Sequence, residues 1–167
     1  MKSILIFITL CLLTPSLWAN STASFPKNIN EWILVKESII PGKNVELPEG
    51  TSLFIQNTVR TYNWINQGKG TKLNIYVPKE KLTSYKTHGP YADGPTAVGI
   101  YEDSNIIFVT EHIAGEAIYG TYDREGNDIS SSHPSFNVQA CIQCHTSNKD
   151  ICMNGTCATP IIDIFQK

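Results

Sequence analysis

The chain has 167 residues, 41% of them hydrophobic and 17% charged, with 13 Lys and Arg against 15 Asp and Glu for a formal charge of −2. That balance excludes the basic surface of a nucleic-acid binder, and no block of like charge forms a docking tail. Neither an internal repeat nor a low-complexity segment interrupts the sequence.

Met1-Lys2 supplies a short positive start, Ile4 to Leu13 is almost continuously apolar, and Thr14-Pro15-Ser16 ends the run before Leu17-Trp18-Ala19. This is the layout of a secretory signal peptide over residues 1–19, with cleavage expected at 19/20 or, after Ser21-Thr22-Ala23, at 23/24. Leu10 rather than a small residue precedes Cys11, which argues against a lipoprotein signal, so Cys11 is expected to leave with the signal. Cleavage leaves about 145 residues, enough for a single domain over 24–167. The apolar run is too short to remain as a membrane anchor. The expected compartment is the bacterial periplasm, where disulfides persist.

Glu31 to Ile40 reads as helix or strand up to a turn at Pro41-Gly42, and the alternation of Thr51 to Val59 predicts a strand. Thr71 to Val77 sets Leu73, Ile75 and Val77 against polar neighbours, the pattern of a half-buried strand. Pro78 is suited to the first position of a short helix reaching Lys86. Thr96 to Tyr101, Asn105 to His112 and Glu116 to Tyr122 are three further strands, with turns at Asp103-Ser104 and Ala114-Gly115. From His133-Pro134 the chain is expected to become helical. The predicted class is α+β: an antiparallel sheet with a few short helices, the C-terminal helix carrying residues 141–145.

Those residues read Cys141-Ile142-Gln143-Cys144-His145, the CxxCH spacing of c-type haem attachment. One helical turn separates the two thiols, so both can face the same porphyrin edge and form thioethers with its vinyl groups. The adjacent His145 then lies under the iron as its proximal ligand, and the implied cofactor is one covalently bound haem c. Cys152 and Cys157 flank Met153-Asn154-Gly155-Thr156, where Asn-Gly favours a tight turn and the two cysteines suit a disulfide. Two alternatives stay open. All four cysteines could form a zinc site, which would leave His145 without a role, or Cys141 and Cys144 could be a redox dithiol. A redox CxxC normally opens a helix after an early strand, whereas this one lies near the chain end.

The strand-rich middle fits neither the small class I cytochromes c nor the four-helix cytochromes c′. Phe25-Pro26-Lys27-Asn28 with Glu31-Trp32, Ile75-Tyr76-Val77-Pro78, Tyr85-Lys86, Gly89, Tyr91-Ala92-Asp93-Gly94 and finally Cys141 to Thr146 run in an order that resembles the cytochrome P-460 family and its sister group, cytochrome c′-beta. The resemblance covers most of the mature chain, though only CxxCH is individually specific. It implies a beta-sheet mono-haem domain, and members of the family are often homodimers. The hydroxylamine-oxidising branch cross-links a lysine to the porphyrin. The matching position here is Gly99, and no lysine occurs between Thr96 and Glu125. That departure favours a plain haem c that binds a small gas, nitric oxide or carbon monoxide. The alternative is an oxidoreductase acting on hydroxylamine or another small nitrogen compound, with electrons passed to a partner cytochrome. A simple electron carrier is a third reading.

The sixth iron position separates these readings. Met153 follows His145 too closely to cross to the other side of the porphyrin, and reads as a surface or gap-filling residue. His88 falls in a loop, His133 beside Pro134 suits a cap or the surface, and His112 could face either the haem pocket or water. Without an endogenous sixth ligand the site is open. By resemblance the aromatic cap would come from Phe54 and Phe108, both on predicted strands, and Glu111 would supply a distal carboxylate. Each also has a plainer reading, the aromatics as core and Glu111 as a solvated residue at a strand edge.

Overall fold

The computed structural model describes residues 21–157, so the expected signal segment over 1–19 lies outside the described residues. Five strands follow one another in space as in sequence: β1 (Ile33–Pro41), β2 (Gly70–Val77), β3 (Gly94–Tyr101), β4 (Ile106–Ile113) and β5 (Glu116–Tyr122). Every neighbouring pair is antiparallel. Three helices accompany them: α1 (Leu53–Tyr62), α2 (Leu82–Lys86) and α3 (Val138–Ser147). The α+β expectation and the antiparallel sheet therefore hold. The turns at Asp103-Ser104 and Ala114-Gly115 fall where the β3–β4 and β4–β5 connections lie. The ambiguous first segment resolves as strand β1.

The expected strand over Thr51 to Val59 is corrected: this segment is helix α1. Ser52 caps it by accepting from the Ile55 amide at 3.4 Å, and Phe54, Thr58 and Val59 are its buried residues while Leu53 is 74% exposed. Burial at 54 and 58 follows a four-residue period, so the alternation that suggested a strand lies on a helix held by packing.

Alternation across the strands gives the sheet two buried faces. On one, Val98, Ile107, Val109, Ile118 and Tyr122 pack with Ala23 from the N-terminal segment, joined by Phe25, Ile29 and Trp32. On the other, Ile40, Leu73, Tyr101 and Ile106 pack with Ile65 and Phe136, joined by Tyr62, Trp64 and Phe108. A row of paired positions crosses this second face: Lys36 opposite Ile75, Ile75 opposite Gly99, Gly99 opposite Phe108, and Phe108 opposite Thr121. α1 and α3 lie over that row and leave a hollow beneath them.

The Tyr91-Ala92-Asp93-Gly94 stretch has a structural task. Lys81, 7% exposed, donates its ammonium to the carbonyls of Ala92, Asp93 (2.8 Å) and Gly94 (3.3 Å), and Asp93 Oδ1 accepts from the Ala114 amide at 2.8 Å. The cation draws the three carbonyls of this turn together, and the aspartate pins the β4–β5 turn. Among the described residues, no helix is long and apolar enough to cross a membrane.

Candidate functional site

α3 begins at Asn137, whose side chain accepts from the Gln139 amide at 2.9 Å. This cap places Cys141, Cys144 and His145 along the side of the helix that overlies the sheet. All three line one cavity of about 160 Å³, together with Phe54, Tyr62, Tyr101, Phe108 and Tyr119. From α1 the lining residues are Phe54, Thr58 and Tyr62, spaced four apart as one helical stripe. Phe108 is the hub of the aromatic wall, with ring centroids 5.6 Å from Tyr62, 5.6 Å from Tyr101 and 5.7 Å from Phe136, each edge-to-face.

Both α3 cysteines are free thiols. Burial, with the neighbouring Cys144 second, pushes the Cys141 thiol up to about 11, and burial also raises Cys144. A redox dithiol needs the opposite, a thiolate stabilised by positive surroundings, so these are poor exchange nucleophiles. The zinc alternative fails on its other half. Cys152 and Cys157 form a disulfide, in keeping with the short-loop pairing considered above, and bridged sulfurs are not thiolate ligands. His145, Cys152 and Cys157 do converge, with ligand atoms within 4.8 Å, but the bridge removes two of the three.

His145 is arranged as a metal-ligating imidazole would be. Nδ1 lies 2.9 Å from the Gly155 carbonyl oxygen, which can only accept, so Nδ1 carries the proton and Nε2 keeps a lone pair. Burial lowers the pKa of His145 below the usual histidine value, with the Gly155 hydrogen bond opposing, and so keeps the ring neutral. Its ring lies 4.6 Å from that of Tyr119, while Cys157 Sγ sits 3.7 Å from Nδ1 and 3.9 Å from Nε2. Two apolar-embedded thiols, a neutral histidine with its second nitrogen anchored and an aromatic hollow fit a covalently held porphyrin.

Around this centre the phenols stay protonated. Burial, then the Cys141 and Cys144 charges, holds Tyr62 and Tyr119 far above the usual tyrosine range, and burial does the same for Tyr101. Gly99 lies on the cavity wall, where a Cβ would stand 3.2 Å from Leu73 Cδ1 and 3.3 Å from Ile75 Cδ1. The absent side chain at this position thus contributes to the hollow.

Several sequence expectations change. Phe108 is on strand β4 as expected, but Phe54 reaches the cavity from helix α1. Glu111 is corrected on both readings. It is neither solvated nor at the cavity: it is 8% exposed, on the other face of β4, and Oε2 accepts from the Ser24 amide at 2.7 Å. His112 is corrected likewise. It faces neither the cavity nor water, being 1% exposed, with Nδ1 2.7 Å from Thr96 Oγ1 and Nε2 2.8 Å from Asn154 O. With both nitrogens occupied it is unfit as a sixth ligand. His133 caps the turn before α3 by accepting from Ser135 and stacks on Trp64 at 3.9 Å, and Met153 is 40% exposed.

Sequence reading missed Lys36. It lines the cavity from β1, donates to the Cys157 carbonyl at 3.1 Å, and burial lowers its pKa to about 8. Its signal was present in the alternation of β1, where Lys36, Ser38 and Ile40 share a face, but nothing local announces that this face is covered. No family model, curated protein or solved structure matches the chain.

Proposed function

We propose that this chain is an exported mono-haem c-type cytochrome of the cytochrome P-460 and cytochrome c′-beta kind, binding a small gas such as nitric oxide or carbon monoxide. One observation carries the reading: Cys141, Cys144 and His145 meet at a single aromatic cavity, with His145 Nδ1 anchored on Gly155 O and Nε2 left as a ligand atom. Haem bound there would supply an iron able to take a diatomic ligand in its sixth position. Cys141 and Cys144 would hold the group through their sulfurs, and His145 would ligate its iron through Nε2. Phe54 and Phe108 restrict entry and exclude water from the cavity. The phenols of Tyr62, Tyr101 and Tyr119, held protonated by burial, add no negative charge to its wall at neutral pH. The signal segment directs this chemistry to the periplasm, where thioether attachment and the Cys152–Cys157 bridge are both at home.

Lys36 favours a second reading, oxidation of hydroxylamine or a similar nitrogen compound with electrons passed to a partner cytochrome. A cavity-wall amine whose pKa burial lowers to about 8 is partly neutral near physiological pH, as an amine joined to a porphyrin would need to be. Lys72 offers no such route, since it is an exposed residue paired with Glu37.

An absorption spectrum of the reduced protein, with and without carbon monoxide, separates the readings. Gas binding predicts a high-spin ferrous spectrum that carbon monoxide shifts, whereas a low-spin spectrum indifferent to the gas would sink it. A strongly red-shifted Soret band would point to a cross-linked porphyrin and the enzyme. Replacing Cys141 and Cys144 together with Ala should leave no haem on the chain after denaturing electrophoresis, and haem surviving there would refute the attachment sites.

A further inference from the structure

Cys152 and Cys157 are five positions apart, and the bridge between them closes a small loop over Met153-Asn154-Gly155-Thr156. Several polar groups of that loop are engaged by different parts of the fold. Asn154 O meets His112 Nε2 at 2.8 Å, and Asn154 Nδ2 donates to the His88 carbonyl at 2.5 Å. Gly155 O receives both His145 Nδ1 at 2.9 Å and the Tyr119 hydroxyl at 3.3 Å. Thr156 Oγ1 and the Tyr91 hydroxyl are 2.6 Å apart, and Cys157 O accepts from Lys36 at 3.1 Å.

Two successive residues of the loop, Asn154 (φ 47°) and Gly155 (φ 76°), have left-handed backbones. This conformation turns the carbonyl of Gly155 toward α3. A loop of this length has no hydrophobic core of its own to hold it so. Its only covalent constraint is the bridge, whose Cys157 sulfur also abuts the His145 ring at 3.7 Å.

We propose that the Cys152–Cys157 disulfide is the positioning device for His145: it holds the Gly155 carbonyl where it accepts from Nδ1 and so fixes the orientation of the imidazole. The bridge touches no ligand. It acts through Gly155 O, and it rests on the reading above only in so far as His145 is taken as the proximal ligand. A bridge serving general stability alone would alter the melting of the protein and leave the imidazole as it is.

The test compares the parent protein with the C152S/C157S double variant by nitrogen-15 NMR of the histidine side chains, in the diamagnetic ferrous carbon monoxide form. The parent should show the His145 Nδ1–H shifted downfield by its hydrogen bond to Gly155 O, and the bridge-free variant should lose that shift. In the same pair without carbon monoxide, the iron–histidine stretching frequency should fall with the loss of the Nδ1–H hydrogen bond. An unchanged Nδ1–H shift and stretching frequency in a folded variant overturn the proposal. Should the bridge-free chain not fold, Gly155→Ala decides with the bridge intact. An added Cβ would lie 2.2 Å from Ala117 Cβ and 3.0 Å from the Tyr119 hydroxyl, so the carbonyl must move. A changed His145 signal there supports the proposal, and an unchanged one overturns it. If the parent carries no covalent haem, the functional reading falls. The nitrogen spectra of the haem-free chain still decide the role of the bridge.

Discussion

Gly99 shows how much of the site depends on a side chain that is missing. It sits between Ile75 and Phe108 in the row that floors the cavity, and a Cβ there would meet Leu73 and Ile75 at 3.2 and 3.3 Å. The flexible ends of those two side chains can yield, so a larger residue is accommodated at a cost and extends into the hollow. Gly99→Val should therefore destabilise the fold by about 1–3 kcal/mol through overpacking. It should also slow carbon monoxide association, with little effect on covalent haem content. Urea denaturation and flash photolysis measure the two effects. A variant that binds the gas as fast as the parent would show that the ligand site lies elsewhere.

At the scale of elements, the N-terminal segment packs on the first face of the sheet and bears on where the proposed signal would be cut. Ala23 is fully buried, its amide donates to Tyr119 O at 3.0 Å, and its carbonyl accepts from the Tyr122 hydroxyl. Gly120 permits this approach, because a Cβ there would stand 2.9 Å from Ala23 O. Cleavage at 23/24 would discard a core residue and both hydrogen bonds, whereas cleavage at 19/20 keeps them. Mass spectrometry of the exported protein should find a chain beginning at Asn20, and a chain beginning at Ser24 would refute this. The same scale shows what the sequence could disclose. β2 to β5 were legible because their alternation and turn residues agree, and the Cys141–His145 spacing is carried entirely by local sequence. α1 departs from the strand expectation because the short alternation over 51–59 resembles a strand, while its helical stripe of Phe54, Thr58 and Tyr62 acquires meaning only against the sheet. Glu111 failed for a related reason, whereas His112 shares the face of Phe108 and is engaged there by Thr96 and Asn154. Which face of β4 looks on the cavity is decided by α1 and α3, elements distant in sequence.

Across the whole molecule, His112 joins three parts that sequence separates: β4 on which it sits, Thr96 of β3 at 2.7 Å, and Asn154 of the disulfide-closed loop at 2.8 Å. Tyr91 lies against its ring at 4.4 Å. Burial is the main cause that lowers its pKa below the usual value of 6.5, outweighing the hydrogen bond to Asn154 that pulls the other way. A lowered pKa in the folded state means that the unfolded chain takes up the proton first as pH falls. The stabilisation is therefore complete above pH 6.5 and is lost as pH drops through the folded-state value. The exposed Asp123, lowered from an already acidic 3.8, titrates outside that window. Urea midpoints should thus decline between pH 7.5 and pH 5.5. His112→Gln removes this contribution, so its midpoint should vary less over the same interval, from a starting stability lower by about 1–3 kcal/mol for the buried partners left unpaired. Parallel pH profiles for parent and variant would exclude His112 as the source. A midpoint rising toward pH 5.5 would contradict the sign itself, since it would require a folded state that binds protons more readily than the unfolded chain.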